Sequence, residues 1–219
     1  DIEAARKKYF SMPEDDSNWT WNVAWWSDPV LLGKYPEEGL KKYEKYLPKI
    51  TEKDMRLISE PIDVYGQNIY NGRAFRMGAD GNPEEVGRVP GAGKTAVNWP
   101  VTPECLYWGP KFLYERYKKP IYITENGMAC HDVVSLDQRV HDPNRIDFLA
   151  RYLHELKRAA EEIDLRGYFQ WSLMDNFEWE KGYAERFGIV YVDFETQERI
   201  LKDSAYWYRD VIQTNGRDL

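Results

Sequence analysis

Cysteine is scarce in this chain: Cys105 and Cys130 are the only two in 219 residues. Two thiols make no disulfide framework, and a reducing, cytoplasmic setting is the simpler expectation. Histidine is as thin: His131, His141 and His154 are scattered, and Cys130 and His131 are adjacent rather than spaced as zinc ligands. Neither a metal nor another cofactor is expected, and a Cys–His nucleophile on Cys130 is set aside. No apolar run approaches the ~20 residues of a membrane span, so no membrane partner is expected. Basic excess is missing too: 30 Lys and Arg against 37 Asp and Glu leave a net charge of −7, which argues against nucleic acid as a partner. Internal repeats and low-complexity tracts are absent. With 31% charged and 42% hydrophobic residues, a disordered tail is excluded. Gly91-Ala92-Gly93-Lys94-Thr95 superficially suggests a phosphate loop, but it lacks the longer spacing and a preceding strand.

Aromatic residues are abundant instead. Nine Trp, sixteen Tyr and eight Phe make up 15% of the chain, and large aromatic faces suit cores and flat apolar ligand faces alike.

A pass along the chain shows strands alternating with helices. Residues 1–10 start at once as a helix, acidic at the front and basic behind, and an upstream part of the same fold is therefore expected. Residues 14–36, with Trp19, Trp21, Trp25 and Trp26, read as a loop ending in the Gly33-Lys34-Tyr35-Pro36 turn. Thr51-x-x-Asp54 resembles a capping box opening a short helix. Residues 62–68 read as a strand, and the Gly- and Pro-rich stretch 72–100 as a long loop. A helix is expected from Thr102-Pro103 to about Tyr117, closed by Lys118-Lys119-Pro120. Ile121 to Thr124 is a short β-rich run. The clearest helix opens at Asp142-Pro143, with Ile146, Leu149, Ala150, Leu153, Leu156, Ala160 and Ile163 at helical spacing. Gly167 to Ser172 reads as another strand and Ser204 to Ile212 as a last helix.

This is the rhythm of parallel βα units. Three strands do not close a barrel, and an eight-stranded βα barrel usually takes ~250 residues. The expected fold class is α/β: the C-terminal part of a (β/α)8 TIM barrel, about three strands with their helices, incomplete without an N-terminal part. Polar residues follow each strand: Asn68 and Tyr70, then Glu125 and Asn126, then Asp175, Asn176 and Glu178. In a βα barrel that end carries the active site. Glu125, after a short apolar strand and before Asn126-Gly127, is the sharpest catalytic candidate; the bland alternative is a solvated carboxylate capping a turn. Trp171 near a strand end, and Trp179 beside Glu178, are more often core residues. At a barrel mouth, however, they pair a flat apolar face with hydroxyl acceptors, as a sugar ring requires.

Two longer runs sharpen this reading. Ile123-Thr124-Glu125-Asn126-Gly127 and the segment from Gly167 to Trp179 (GYFQWSLMDNFEW) resemble glycoside hydrolase family 1, the β-glucosidase family. Asn68-Ile69-Tyr70, Arg186-Phe187-Gly188, Tyr191-Val192-Asp193 and the stretch Trp25…Asp28-Pro29…Gly33-Lys34-Tyr35-Pro36 agree with it in order. The resemblance runs over essentially the whole chain, and residues 1–219 are expected to be the C-terminal portion of one catalytic barrel. It implies retaining hydrolysis of β-glycosides by two glutamates, with Glu125 as nucleophile and Asn68 and Tyr70 beside it. It further implies that Glu178 binds sugar hydroxyls, with Trp179 beside it in the substrate site, and that Trp171 is the platform under the glycone. Phe187 would be a wall near it, and Trp99 falls where the family often lines the aglycone side.

One departure is as informative. The family's acid/base is a Glu in an Asn-Glu-Pro segment on an earlier strand, whereas here Ser59 precedes Glu60-Pro61 and the segment lies before a strand. Retaining chemistry needs two carboxyls ~5–5.5 Å apart. The expectation is therefore that this chain alone is inactive and needs the N-terminal part of the barrel, in the same polypeptide or a separate one. Cut this way, it should expose strand edges and be poorly soluble. The expected substrate is a β-glucoside or cello-oligosaccharide with a neutral glycone, because Glu178 would repel a sugar phosphate. The rival readings are a non-catalytic carbohydrate-binding remnant and a different retaining glycosidase on the same barrel.

Overall fold

The computed structural model describes residues 1–13 and 22–219; Trp19 and Trp21 lie outside the described residues. The chain divides into two compact units, residues 1–63 with 73–87, and residues 64–72 with 88–219.

In the first unit, α1 (Ile2–Phe10) is capped by the Asp1 carboxylate, which accepts from the Ala4 amide. The stretch read as a loop from the sequence contains a helix, α2 (Val23–Leu32). Asn22 caps it by accepting from the Trp25 amide at 2.7 Å, and Gly33 ends it in the left-handed conformation. Asp28-Pro29 hides this helix from a reader of sequence, since proline lacks the amide an interior turn needs. Burial compensates: Trp25 packs edge-on against Tyr43 at 5.1 Å in a core with Met12 and Ala24. Two short helices follow, α3 (Glu37–Tyr43) and α4 (Glu52–Ile58). The Thr51–Asp54 capping box is formed in both directions.

The presumed loop 72–100 also contains a hairpin, β2 (Ala74–Met77) and β3 (Pro83–Val86). Its strands are only four residues long, joined by the antiparallel ladder with exposed ion pairs across it. Arg76 lies opposite Glu84 at 3.1 Å, and Arg73 reaches Glu85 at 3.1 Å. The Asp80-Gly81 turn was its legible signal.

The second unit is built on a parallel sheet of β1 (Tyr65–Asn68), β4 (Ile121–Asn126) and β5 (Leu165–Gln170), with β4 in the middle. These are the three expected barrel strands with shifted limits. β1 starts three residues late, Ile62 being exposed, and β4 runs on past Thr124, so Glu125 sits in the strand rather than after it. The register sets Asn68 beside Glu125 and Asn126 beside Gln170, so the C-terminal ends of all three strands finish together.

α5 (Cys105–Tyr117) starts two residues after Pro103, whose turn precedes it, and ends at Lys118 in the left-handed conformation. It packs against β4 and against α6 (Pro143–Ala160). Ile121, Ile123, Leu113 and Leu149 are wholly buried in this layer. The face of α6 differs from the expected one in detail. Ala160 is exposed, while Arg145, Phe148, Tyr152 and Ala159 are buried. A second hairpin, β6 (Val190–Val192) and β7 (Arg199–Leu201), turns on Asp193, whose carboxylate takes the amides of Glu195 and Thr196 at 3.0 Å. α7 (Asp203–Gln213) closes the unit.

Leu149→Ala should cost about 2–5 kcal/mol, since it empties a closed core position, and Thr51→Ala about 1 kcal/mol through a lost cap. Urea unfolding followed by far-ultraviolet circular dichroism measures both; equal losses would contradict this assignment of the core.

Candidate active site

The mouth of the parallel sheet collects most of the residues singled out from the sequence. Glu125 is half-buried near the end of β4, and the Tyr70 hydroxyl donates to its Oε2 at 2.7 Å. Tyr70 is placed by backbone: the Ile69 amide donates to the Glu125 carbonyl at 2.9 Å, and Asn126 Nδ2 donates to the Ile69 carbonyl at 2.8 Å. Asn68 lies beside Glu125 in register, but its Oδ1 accepts from Thr124 Oγ1 at 2.6 Å. The hydroxyl on the nucleophile candidate is therefore that of Tyr70.

Three rings close one side. Tyr70 meets Trp99 edge-on at 5.1 Å and Phe187 at 6.3 Å, and Trp99 and Phe187 are 5.9 Å apart. Phe187 is buried, whereas Trp99 is partly open to solvent. After β5, Trp171 points its indole Nε1 at Glu178 Oε2, 3.4 Å away. Trp179 stands apart from this group in the described structure: it is 77% exposed, on a short 3-10 turn with φ +44°. Gly127 explains the tightness around the mouth, because a Cβ there would lie 1.8 Å from the Trp171 carbonyl oxygen.

The electrostatics are those of crowded acids. Burial, the hydrogen bond to Glu125 and the charges of Glu125 and Glu178 push the Tyr70 phenol far above its ordinary range. It stays a neutral donor, able to steady a carboxylate without competing for its proton. Glu178 is shifted upward by burial first, then by Glu125 and Glu185, against the opposing Trp171 hydrogen bond.

Several residues have roles that the sequence did not disclose. Asp175, read as a mouth residue, is instead buried and paired with Lys202 at 2.8 Å and Arg186 at 2.6 Å. Arg145, a cation on the buried stripe of α6, binds Asp132 at 2.7 Å and also pairs with Asp142; its place in the apolar period was the available signal. Burial pushes the Cys130 thiol up to about 11, the opposite of an activated nucleophile. No group of three or more metal-ligating side chains occurs among the described residues. Glu60 is exposed in the turn that leads out of α4.

Parallel βα units that gather a carboxylate and an aromatic wall at their C-terminal strand ends define the class: part of a βα barrel with a candidate site at its mouth. Residues 6–217 match Glycosyl hydrolase family 1, and the chain belongs to that family. It is 48% identical over 192 residues to "Beta-glucosidase A" of Thermotoga maritima, covering 86% of this chain and 43% of that protein. With "Beta-glucosidase A" of Acetivibrio thermocellus it shares 42% identity over 202 residues, covering 88% and 44%. The solved beta-glucosidase of Thermotoga maritima in complex with noeuromycin superposes with a TM-score of 0.79 at 45% identity, covering 93% of this chain and 48% of that one. The chain thus spans less than half the length of these relatives, and its fold is part of a (β/α)8 barrel.

Two measurements follow. Tyr70 should stay protonated through the range near pH 10 where ordinary tyrosines ionise: titrated at 295 nm through that range, the parent and Tyr70→Phe should give equal phenolate yields, and a smaller yield in Tyr70→Phe would contradict the site. Glu178 binds a proton more readily folded than unfolded, so its ionisation opposes folding as pH rises. Glu178→Gln should gain stability relative to the parent at neutral pH, the advantage fading as pH falls below the ordinary carboxylate range; denaturant midpoints at both pH values check the slope.

Proposed function

We propose that this protein acts as a retaining β-glucosidase, with Glu125 as its nucleophile and a β-linked glucoside or cello-oligosaccharide as substrate. The observation that carries the reading is the 2.7 Å contact of Tyr70 with Glu125 at the end of the central strand, framed by Trp99, Phe187 and Trp171. Names of the relatives, beta-glucosidases throughout the ones cited, support the same substrate class.

Chemically, the ionised Glu125 attacks the anomeric carbon on the face opposite the departing oxygen and forms a glycosyl ester. Tyr70 donates to the carboxylate and fixes which oxygen is free to attack. Trp171 underlies the sugar ring, and Glu178 accepts from its hydroxyls. Asn68 is assigned beside the nucleophile and Trp99 to the aglycone side, and Trp179, exposed in the described structure, is assigned to the glycone of the completed barrel. A negative Glu178 also disfavours a phosphorylated glycone.

The proton for the leaving oxygen needs a second carboxyl, and Glu60 does not supply it. We assign that role to a part of the barrel outside residues 1–219, in the same polypeptide or a partner. β1 and β5 are the outer strands of the sheet, and Phe169 on β5 is 57% exposed, which suits further strands pairing there and covering that face. On this reading residues 1–219 form the C-terminal portion of a single catalytic barrel and hydrolyse nothing alone. The low cysteine content suits a cytoplasmic enzyme.

The test uses the full-length protein and a 2-fluoro β-glucoside with a dinitrophenolate leaving group, which traps the glycosyl ester. Peptide mapping should find the sugar on Glu125. Glu125→Gln should lower turnover about 10⁴-fold or more while glucose still competes within a few-fold of its parent affinity. A label on another residue, or turnover unchanged in Glu125→Gln, removes Glu125 from the role.

A further inference from the structure

Behind the mouth lies a buried cluster of charges that the hydrolytic reading leaves unused. Three cations, Arg145, Lys202 and Arg186, meet three carboxylates, Asp132, Asp142 and Asp175. All but Arg186 have side chains that are 2% exposed or less, and Arg186 is 15% exposed. The charges balance one for one, as a buried group of ions must if it is not to be ruinous.

The connections are directional. Asp175 opens the loop after β5, and Arg186 to Gly188 close it. Asp175 Oδ2 accepts from Arg186 Nη1 at 2.6 Å, and Oδ1 accepts from the Gly188 amide at 3.0 Å. The two ends are so close that a Cβ on Gly188 would sit 2.2 Å from the Asp175 nitrogen. Glu178 lies inside the loop thus closed, and Phe187 lies at its end. On the other side, Asp132 belongs to the loop after β4, where Arg145 also binds the Met128 carbonyl, and the Cys130 amide donates to the Arg186 carbonyl at 3.1 Å.

Lys202 joins the two loops while belonging to neither. It stands between β7 and α7, fully buried, and its ammonium donates to Asp132 Oδ2 at 2.7 Å and Asp175 Oδ1 at 2.8 Å. We propose that Lys202 is a positioning residue for sugar binding: by clamping Asp175 to Asp132, it fixes the loop bearing Glu178 against the loop that follows Glu125. The inference rests on the reading of Glu178 as an acceptor for sugar hydroxyls. Its physical basis is that misplacing a substrate-holding group by ~1 Å costs on the order of 10²-fold in rate.

The experiment uses the full-length protein, with glucose as competing ligand and 4-nitrophenyl β-glucoside as substrate, well below the unfolding temperature of each variant. Lys202→Met should raise the inhibition constant of glucose about tenfold or more and lower kcat/KM by a similar factor. The double change Asp132→Asn with Lys202→Met keeps the cluster electrically balanced and leaves Arg145 paired with Asp142 and Arg186 with Asp175; with the clamp gone it should show the same weakened glucose binding. If either folded variant holds glucose and substrate within twofold of the parent and only melts earlier, the positioning role is overturned and the cluster is structural. Glu178→Gln serves as the control in the same assay. A parent whose glucose affinity is indifferent to Glu178 sinks the reading of Glu178 and this inference with it. Sensitivity at Glu178 with indifference at Lys202 sinks this inference alone.

Discussion

The parallel register of β4 between β1 and β5 is the constraint on which the site depends. Parallel pairing brings three strand ends to one level, although the strands come from separate stretches of chain. Asn68, Glu125 and Gln170 meet at that level by backbone pairing alone, before any side chain is considered. Tyr70 follows two residues beyond Asn68, and Trp171 one beyond Gln170. A shift of one residue in β4 would turn Glu125 to the other face. The rigid element therefore carries the Glu125 carboxylate, and the loops carry what surrounds it.

Those loops are held from behind by ions rather than by hydrocarbon. The apolar layer of Ile121, Ile123, Leu113 and Leu149 secures the helices to the sheet, while the chain between β5 and α7 has little regular structure with which to anchor itself. Balanced pairs around Lys202 and Arg145 supply directional bonds at fixed lengths there. Such pairs add nothing to net stability compared with apolar substitutes, but they penalise any arrangement that separates them. The loop after β5 gains a single geometry from this, at a site where geometry matters more than overall stability.

Much of this was legible in the sequence, for identifiable reasons. α6 announced itself through period and cap, and β4 through Ile121-Tyr122-Ile123 between proline and glycine. The polar residues trailing each strand marked the mouth, and Glu125 and Tyr70 do meet there. The hairpins escaped notice because their strands have only three or four residues, too short to show a period; in the first, Arg76 faces Glu84 across the ladder. α2 was hidden by Pro29 because its stability comes from Trp25 packing on Tyr43, a tertiary effect that propensity does not register. Asp175 was misread for a similar reason: its partners Lys202 and Arg186 are 27 and 11 residues away, and no local pattern links them.

The packing of Asn126 against Gly127 also bears on how the protein ages. An asparagine followed by glycine is the dipeptide most open to succinimide closure, because glycine offers no side chain to shield its amide nitrogen from the asparagine carbonyl carbon. Here the reacting groups are immobilised. Asn126 is fully buried, its Nδ2 is bonded to the Ile69 carbonyl, and its Oδ1 accepts from the Tyr168 hydroxyl at 2.9 Å. The amide cannot swing onto the neighbouring nitrogen without breaking both bonds and opening the strand end. Succinimide closure next to Glu125 therefore requires the strand end to open first, so the fold itself sets the pace of this chemical damage.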